Sequence, residues 1–227
     1  VEFEDYLHRR LKQLTGDERL FLLISSLRKC SDAERRRLAG ILRGLSEAHD
    51  DALRMVLVGG EGLAELKFAE GELSLLSHAE PIPWPEFNIG DLMALAWRDR
   101  PSLELVPEEA QVVLEATGSH PRLIQEALRC RAKGAPLTAC TRNLANSRQI
   151  EAQFVVLTRD SEDAQRIVDW LGQNELGPYC GWIPDPLLRR LYWKNLLRAD
   201  GPAGAERLVW RCPAIIEAGR RVLGVVP

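Results

Sequence analysis

LFLLISS, residues 20–26, decides how this chain is read, together with RMVLVGG at residues 54–60. Each is a short apolar run that stops abruptly, the first at two serines and the second at two glycines. Short apolar runs bounded by turn formers have the pattern of buried strands in a parallel sheet. Between them lies a helix. Ser31-Asp32-Ala33-Glu34 is a capping box, and Leu38, Ile41, Leu42 and Leu45 follow at i, i+3, i+4 and i+7 as one apolar stripe. Strand, helix and strand in so short a span imply parallel pairing through a right-handed crossover. The other face of that helix carries Arg35, Arg36, Arg37 and Arg43, read as a solvated face ahead of a basic patch.

Outward from this unit, residues 3–14 form a short amphipathic helix with Phe3, Leu7, Leu11 and Leu14 on one face. On the other side, prolines at 81, 83 and 85 exclude a central strand and mark a domain joint. The chain is then helical: Ile89 to Arg98, Pro107 to Thr117 with Gly118 as its stop, and a helix opened by Ser119-His120-Pro121 that runs to about Lys133 and ends at Gly134. Past Pro136, helices are expected near 142–157, 161–173 and 186–198, then a β-hairpin in ADGPAGAERLVWRCP, 199–213, and a closing helix over 214–223. Three helices, a hairpin and a helix describe a winged helix-turn-helix. The organisation expected is therefore 1–84 as a partial α/β core, 85–137 as a helical unit and 138–227 as a winged-helix-like domain, mainly helical overall.

The 227 residues carry a formal charge of −3, so any nucleic-acid footprint must be local. No apolar run approaches the ~20 residues of a membrane span, and the opening VEFEDYLHRR has no apolar core of a signal peptide. Five scattered cysteines, none in a CxxC pair, suit reduced thiols in a cytoplasmic protein. His8, His49, His78 and His120 lie far apart and none stands near a cysteine in sequence, so no metal site is expected. The phosphate-cradling GxxxxGK[ST] is missing: GGEGLAELK has glycines and a lysine at the wrong spacing. GxSxG and HExxH are missing too, and no catalytic residue is assigned.

Taken in order, these parts resemble the second half of an AAA-like P-loop ATPase of the STAND group. LFLLI stands where that family has an apolar strand ending in acidic residues, and Ser25 and Ser26 replace the acidic pair. RMVLVGG looks like the sensor strand and HAEPIPWPEFNIGDLMAL like the linker into the helical lid. TGSHPRLIQEAL, 117–128, resembles the lid motif, which implies nucleotide contact by Gly118, His120, Pro121 and Arg122. The residues alone also read Gly118 as the stop of one helix, Ser119 as the cap of the next and Pro121 as a residue of its first turn. The family's acidic residues bind Mg²⁺ and polarise the attacking water; hydroxyls without a P-loop do neither. No hydrolysis and no cofactor are therefore expected of this polypeptide. The chain opens on Val1 rather than methionine, and ATP and Mg²⁺ enter only if a P-loop lies upstream.

A partner protein is the first expectation for function, with the chain as a degenerate module acting as a switch or interaction scaffold. DNA is the second. Residues 185–221 hold eight cations, including Arg189, Arg190, Lys194, Arg207 and Arg211, against four carboxylates. The helix with Leu188, Leu191, Tyr192, Trp193, Leu196 and Leu197 is too apolar to be mainly a phosphate-facing surface. Trp182, Trp193 and Trp210 are read as core anchors ahead of interface anchors.

Overall fold

In the computed structural model the described residues are 2–15, 17–25, 30–49, 52–68, 76, 79–80, 82 and 85–225. They are mainly helical, with one small parallel sheet and one small antiparallel sheet. The chain divides into two compact units, Val1–Ile82 and Pro83–Pro227.

In the first unit, α1 (Glu2–Lys12) precedes β1 (Leu20–Ile24), α2 (Asp32–Ala48), β2 (Leu53–Leu57) and α3 (Glu61–Phe68). The two strands pair in parallel, with Leu20 opposite Leu53 and Ile24 opposite Leu57. The Val58 amide donates to the Ile24 carbonyl at 2.8 Å. The capping box forms as expected: the Ser31 hydroxyl accepts from the Glu34 amide, and the Ser31 amide donates to the Glu34 carboxylate at 2.7 Å. The Ser31 hydroxyl, which donates to the same carboxylate at 2.7 Å, and then the Ser31 amide hold the Glu34 carboxyl below the usual range. Leu42 and Leu45 are buried, whereas Leu38 and Ile41 are half-buried. Leu45 joins Leu7, Leu11 and Leu53, with Leu20, Leu22 and Met55 packed alongside, so α1 and α2 cover one face of the sheet. Phe3 lies outside that cluster and is exposed.

β1 departs from the expected buried strand. Leu20, Leu22 and Ile24 point inward, but Phe21 and Leu23 are exposed. A strand with only one face covered normally alternates apolar and polar residues. β1 is apolar on both faces, so its sequence pattern hid the exposure.

The second unit runs α4 (Ile89–Asp99), α5 (Pro107–Thr117), α6 (Pro121–Ala132), α7 (Leu137–Arg142), a 3-10 turn (Asn143–Asn146), α8 (Arg148–Leu157), α9 (Ser161–Trp170), β3 (Gly177–Pro178), α10 (Pro186–Trp193), β4 (Leu197–Asp200), β5 (Arg207–Trp210) and α11 (Pro213–Val222). One continuous core, including Leu92, Leu123, Phe154, Leu187, Leu208 and Ile215, runs through the helices on both sides of residue 138. α4 opens on a second capping box, Asn88 with Asp91. α11 closes on α8, where Gly219 permits the approach: a Cβ there would lie 2.9 Å from the Phe154 ring.

The expected hairpin is present, with Leu197 opposite Trp210 and Asp200 opposite Arg207. β3 adds a third, antiparallel strand on the other side of β5, in the order β3-β5-β4. Its two residues are too few to show a period. The helix expected over 186–198 stops earlier, at Trp193. Asn195 takes a left-handed φ of 65°, its amide donates to Tyr192, and the Leu196 amide donates to Leu191. These two bonds make a Schellman cap, with Asn in the position usually given to Gly. Leu196 and Leu197 are thereby turned from helix into the core and β4. The helix expected over 142–157 is likewise broken. The chain passes from α7 through the 3-10 turn to Ser147, whose hydroxyl donates to Glu126 at 2.8 Å.

Candidate functional site

At the end of β1, Ser25 is exposed, while Ser26 lies outside the described residues. Beyond β2 the chain turns through Gly60 at φ 64°, and Glu61 starts α3. Among the described residues no group of three or more His, Cys, Asp and Glu side chains could hold a metal ion.

The TGSHPR turn is built from the residues singled out in the sequence. α5 ends on Gly118 at φ 54°, and Ser119 follows at φ 58°. Two consecutive left-handed residues reverse the chain, and the Ser119 hydroxyl fixes the turn by donating to the Phe87 carbonyl at 3.2 Å. His120 is buried and caps α6 in place of the expected Ser119, whose hydroxyl is spent on Phe87; the His120 Nδ1 accepts from the amides of Arg122 at 3.2 Å and Leu123 at 3.4 Å. Because Nδ1 accepts, the proton sits on Nε2, which is buried and has no hydrogen-bond partner in the structure. Burial, and then the neighbouring Arg211 and Arg122 charges, hold the His120 imidazole down at about 4. Pro121 is the first residue of α6, and Arg122 points to solvent.

Arg211, named from sequence as a partner or DNA contact, is instead the centre of this turn. Its guanidinium donates to the Glu86 carboxylate at 2.6 Å, the Gly118 carbonyl at 2.9 Å and the Asn195 carbonyl at 3.2 Å. Its side chain is only 6% exposed, so these three bonds supply the solvation that burial removes. Gly118 must be glycine for a second reason besides its φ: a Cβ there would stand 1.9 Å from the Arg211 carbonyl oxygen. Gly118, His120 and Arg211 are thus brought together, but their polar groups are spent on one another and on the backbone, apart from the His120 Nε2.

Four of the other basic residues are similarly engaged. Arg190 pairs with Asp163 at 2.6 Å and Arg207 with Glu175 at 3.1 Å. Arg189 donates to the carbonyls of Ile183 and Pro184 and lies 4.4 Å over the Trp182 ring. Lys194 is the half-buried C-cap of α10. Arg221 pairs with Glu151 at 2.8 Å. Sequence counting missed these carboxylates because Glu86, Glu151, Asp163 and Glu175 all precede the segment counted. The three tryptophans divide. Trp210 is a core residue whose indole donates to the Trp170 carbonyl at 2.9 Å, Trp182 lies under Arg189, and Trp193 is 43% exposed.

Beside the turn lies an open groove of about 940 Å³, lined by Phe87, Asn88, Glu115, Arg198, Trp210 and Cys212 among others. These residues come from the α4 entry, α5, β4, β5 and the α11 entry, a dispersion that no local motif could reveal. Burial raises the Cys212 thiol above its ordinary range, although the Ile215 and Ala214 amides oppose it. No family model, no curated protein and no solved structure gives a significant match to this chain, so no family is assigned to it.

Proposed function

We propose that this chain is a non-catalytic protein-interaction or switch scaffold, a degenerate module of AAA-like type, and that its β1–β2 sheet is the contact surface. The observation that carries this reading is the uncovered face of β1, where Phe21 and Leu23 are 65% and 62% exposed, with Val58 beyond β2 also exposed. Parallel sheets are normally covered on both faces, and contiguous exposed apolar side chains are a recurrent mark of protein contact. An aromatic side chain beside aliphatic ones also suits the anchor of an interface.

The competing reading is a winged-helix DNA-binding regulator. Its support in the sequence was an excess of four positive charges in residues 185–221. Four of those arginines, Arg190, Arg207, Arg211 and Arg221, pair with carboxylates from outside the segment. That pairing offsets the local excess and favours the protein-contact reading. An active ATPase, the third alternative, requires a P-loop upstream of Val1, with ATP and Mg²⁺ as its cofactors.

The test is to replace Phe21 with a photoreactive benzoylphenylalanine and irradiate cells expressing the protein. A discrete protein adduct is expected from position 21 and not from Glu108, exposed in the second unit. Adducts to nucleic acid, or the same products from both positions, would overturn the proposal.

A further inference from the structure

The fold brings His8 and His49 together, although 41 positions separate them in the chain. The His8 Nδ1 lies 3.2 Å from the His49 Nε2, and the ring centroids are 5.3 Å apart with the planes tilted by 59°. Both residues are half-buried, and each ring is carried on anchored backbone. His8 lies on α1 between Leu7 and Leu11, two residues of the first unit's core. His49 closes α2: its amide donates to the Ser46 carbonyl at 3.3 Å, and its carbonyl accepts from the Ala52 amide at 3.0 Å and the Leu53 amide at 3.1 Å, at the entry to β2. Two neutral imidazole nitrogens this close share one proton in a hydrogen bond, or, with both protons on the far nitrogens, offer two lone pairs to one ion. At a metal–nitrogen length of about 2.0–2.1 Å, two ligands of one tetrahedral ion stand roughly 3.3 Å apart. We propose that His8 and His49 form an exchangeable two-histidine site for a divalent transition-metal ion, clamping α1 to the junction of α2 and β2.

Imidazole suits Zn²⁺, Ni²⁺ and Cu²⁺, with Cu²⁺ the tightest of the three. Both facing nitrogens must be free of protons to coordinate. In the hydrogen-bonded pair one of them holds the proton, so on binding that ring takes its other tautomer. His8 then carries its proton on Nε2 and His49 on Nδ1, and a neutral pair releases no net proton. Among the described residues no third His, Cys, Asp or Glu completes the group, so water fills the remaining positions. Structural zinc sites are closed by four protein ligands. Two ligands and water make an exchanging site instead, whose occupancy follows the concentration of free metal. The ion holds together two residues that the unfolded chain keeps apart, so it stabilises the folded unit in step with that concentration. α1 and α2 cover the face of the sheet opposite Phe21 and Leu23, so metal tightens the first unit without occupying its open face.

The full chain would be titrated with nickel chloride by calorimetry, Ni²⁺ being chosen because thiolates compete for Zn²⁺. One saturable site of micromolar affinity is expected. His8→Asn and His49→Asn should each weaken it at least tenfold, whereas Cys180→Ser, at an exposed thiol, should leave it unchanged. Saturating Ni²⁺ should raise the melting temperature of the unaltered chain by several degrees and that of neither histidine variant. A measurement on the unaltered chain makes the result independent of how the variants fold. With the histidine rings labelled with ¹⁵N, substoichiometric Ni²⁺ should broaden the His8 and His49 signals together and ahead of the buried His120. No saturable binding below millimolar Ni²⁺, a site that survives both substitutions, or broadening of one ring without the other would contradict the proposal and leave His8 and His49 as a hydrogen-bonded pair only.

Discussion

At the residue scale, His120 and Gly118 show how one turn is held by groups that a functional reading would assign elsewhere. Folded His120 is held at about 4, against about 6.5 when unfolded. Between those values the unfolded chain binds the proton and the folded chain does not. The contribution is therefore complete above about pH 6.5 and is lost progressively as pH falls toward 4, on the order of 3 kcal/mol in all. Thermal melts across that window should show the second unit weakening. In His120→Asn the amide oxygen keeps the cap without titrating, so the decline should be much shallower. Gly118→Ala confronts both a left-handed backbone and the Arg211 carbonyl. It should cost at least about 2 kcal/mol in denaturant titration. An unchanged midpoint would show that the turn relaxes freely.

At the scale of elements, some caps were legible in the sequence. Ser31 with Glu34, and Pro107 with Gly118, were placed by local chemistry alone; the cap of α6 was not, because the sequence offered the hydroxyl of Ser119 one residue ahead of the imidazole of His120 that makes the bonds. The premature end of α10 was harder. Asn195 is a less specific stop signal than glycine, and the leucines after it continue a helical period although they belong to the core and to β4. The exposed side of β1 was not legible, because an apolar run has no polar face to announce solvent. α2, by contrast, follows its stripe. Leu42 is 2% exposed and lies by Leu57, Leu63 and Leu76. Leu42→Ala should destabilise the first unit by roughly 2–5 kcal/mol, read as a lower denaturant midpoint for that unit. A change under half a kilocalorie would mean that the site collapses without a cavity.

For the whole molecule, charge arithmetic and ligand chemistry give two further expectations. Titrated with fluorescent duplex DNA at two salt concentrations, the chain should bind weakly and without sequence preference. Phosphate contact by Z cations would give a log–log salt slope of about −0.9Z. Sub-micromolar affinity at physiological salt, abolished by Arg189→Glu with Lys194→Glu, would instead make the second unit a DNA-binding module. Calorimetry with millimolar ATP should show no saturable heat, since GGEGLAELK lacks the P-loop spacing; micromolar affinity would defeat the degenerate-module reading.

What the sequence determined by itself was local: the two apolar strands, the helix stripe between them, the caps at Ser31 and Gly118, and a hairpin ahead of the last helix. Each is written in a period or a turn signal a few residues long. Only the tertiary structure decided which face of β1 is left uncovered and that Arg211 is buried among Glu86, Gly118 and Asn195. The physical reason is that burial and charge pairing depend on chain reversals that bring together residues separated by anything from 16 positions to more than a hundred. A local pattern records that a side chain is apolar or charged, while its partner is chosen by where the packed helices and strands place the rest of the chain.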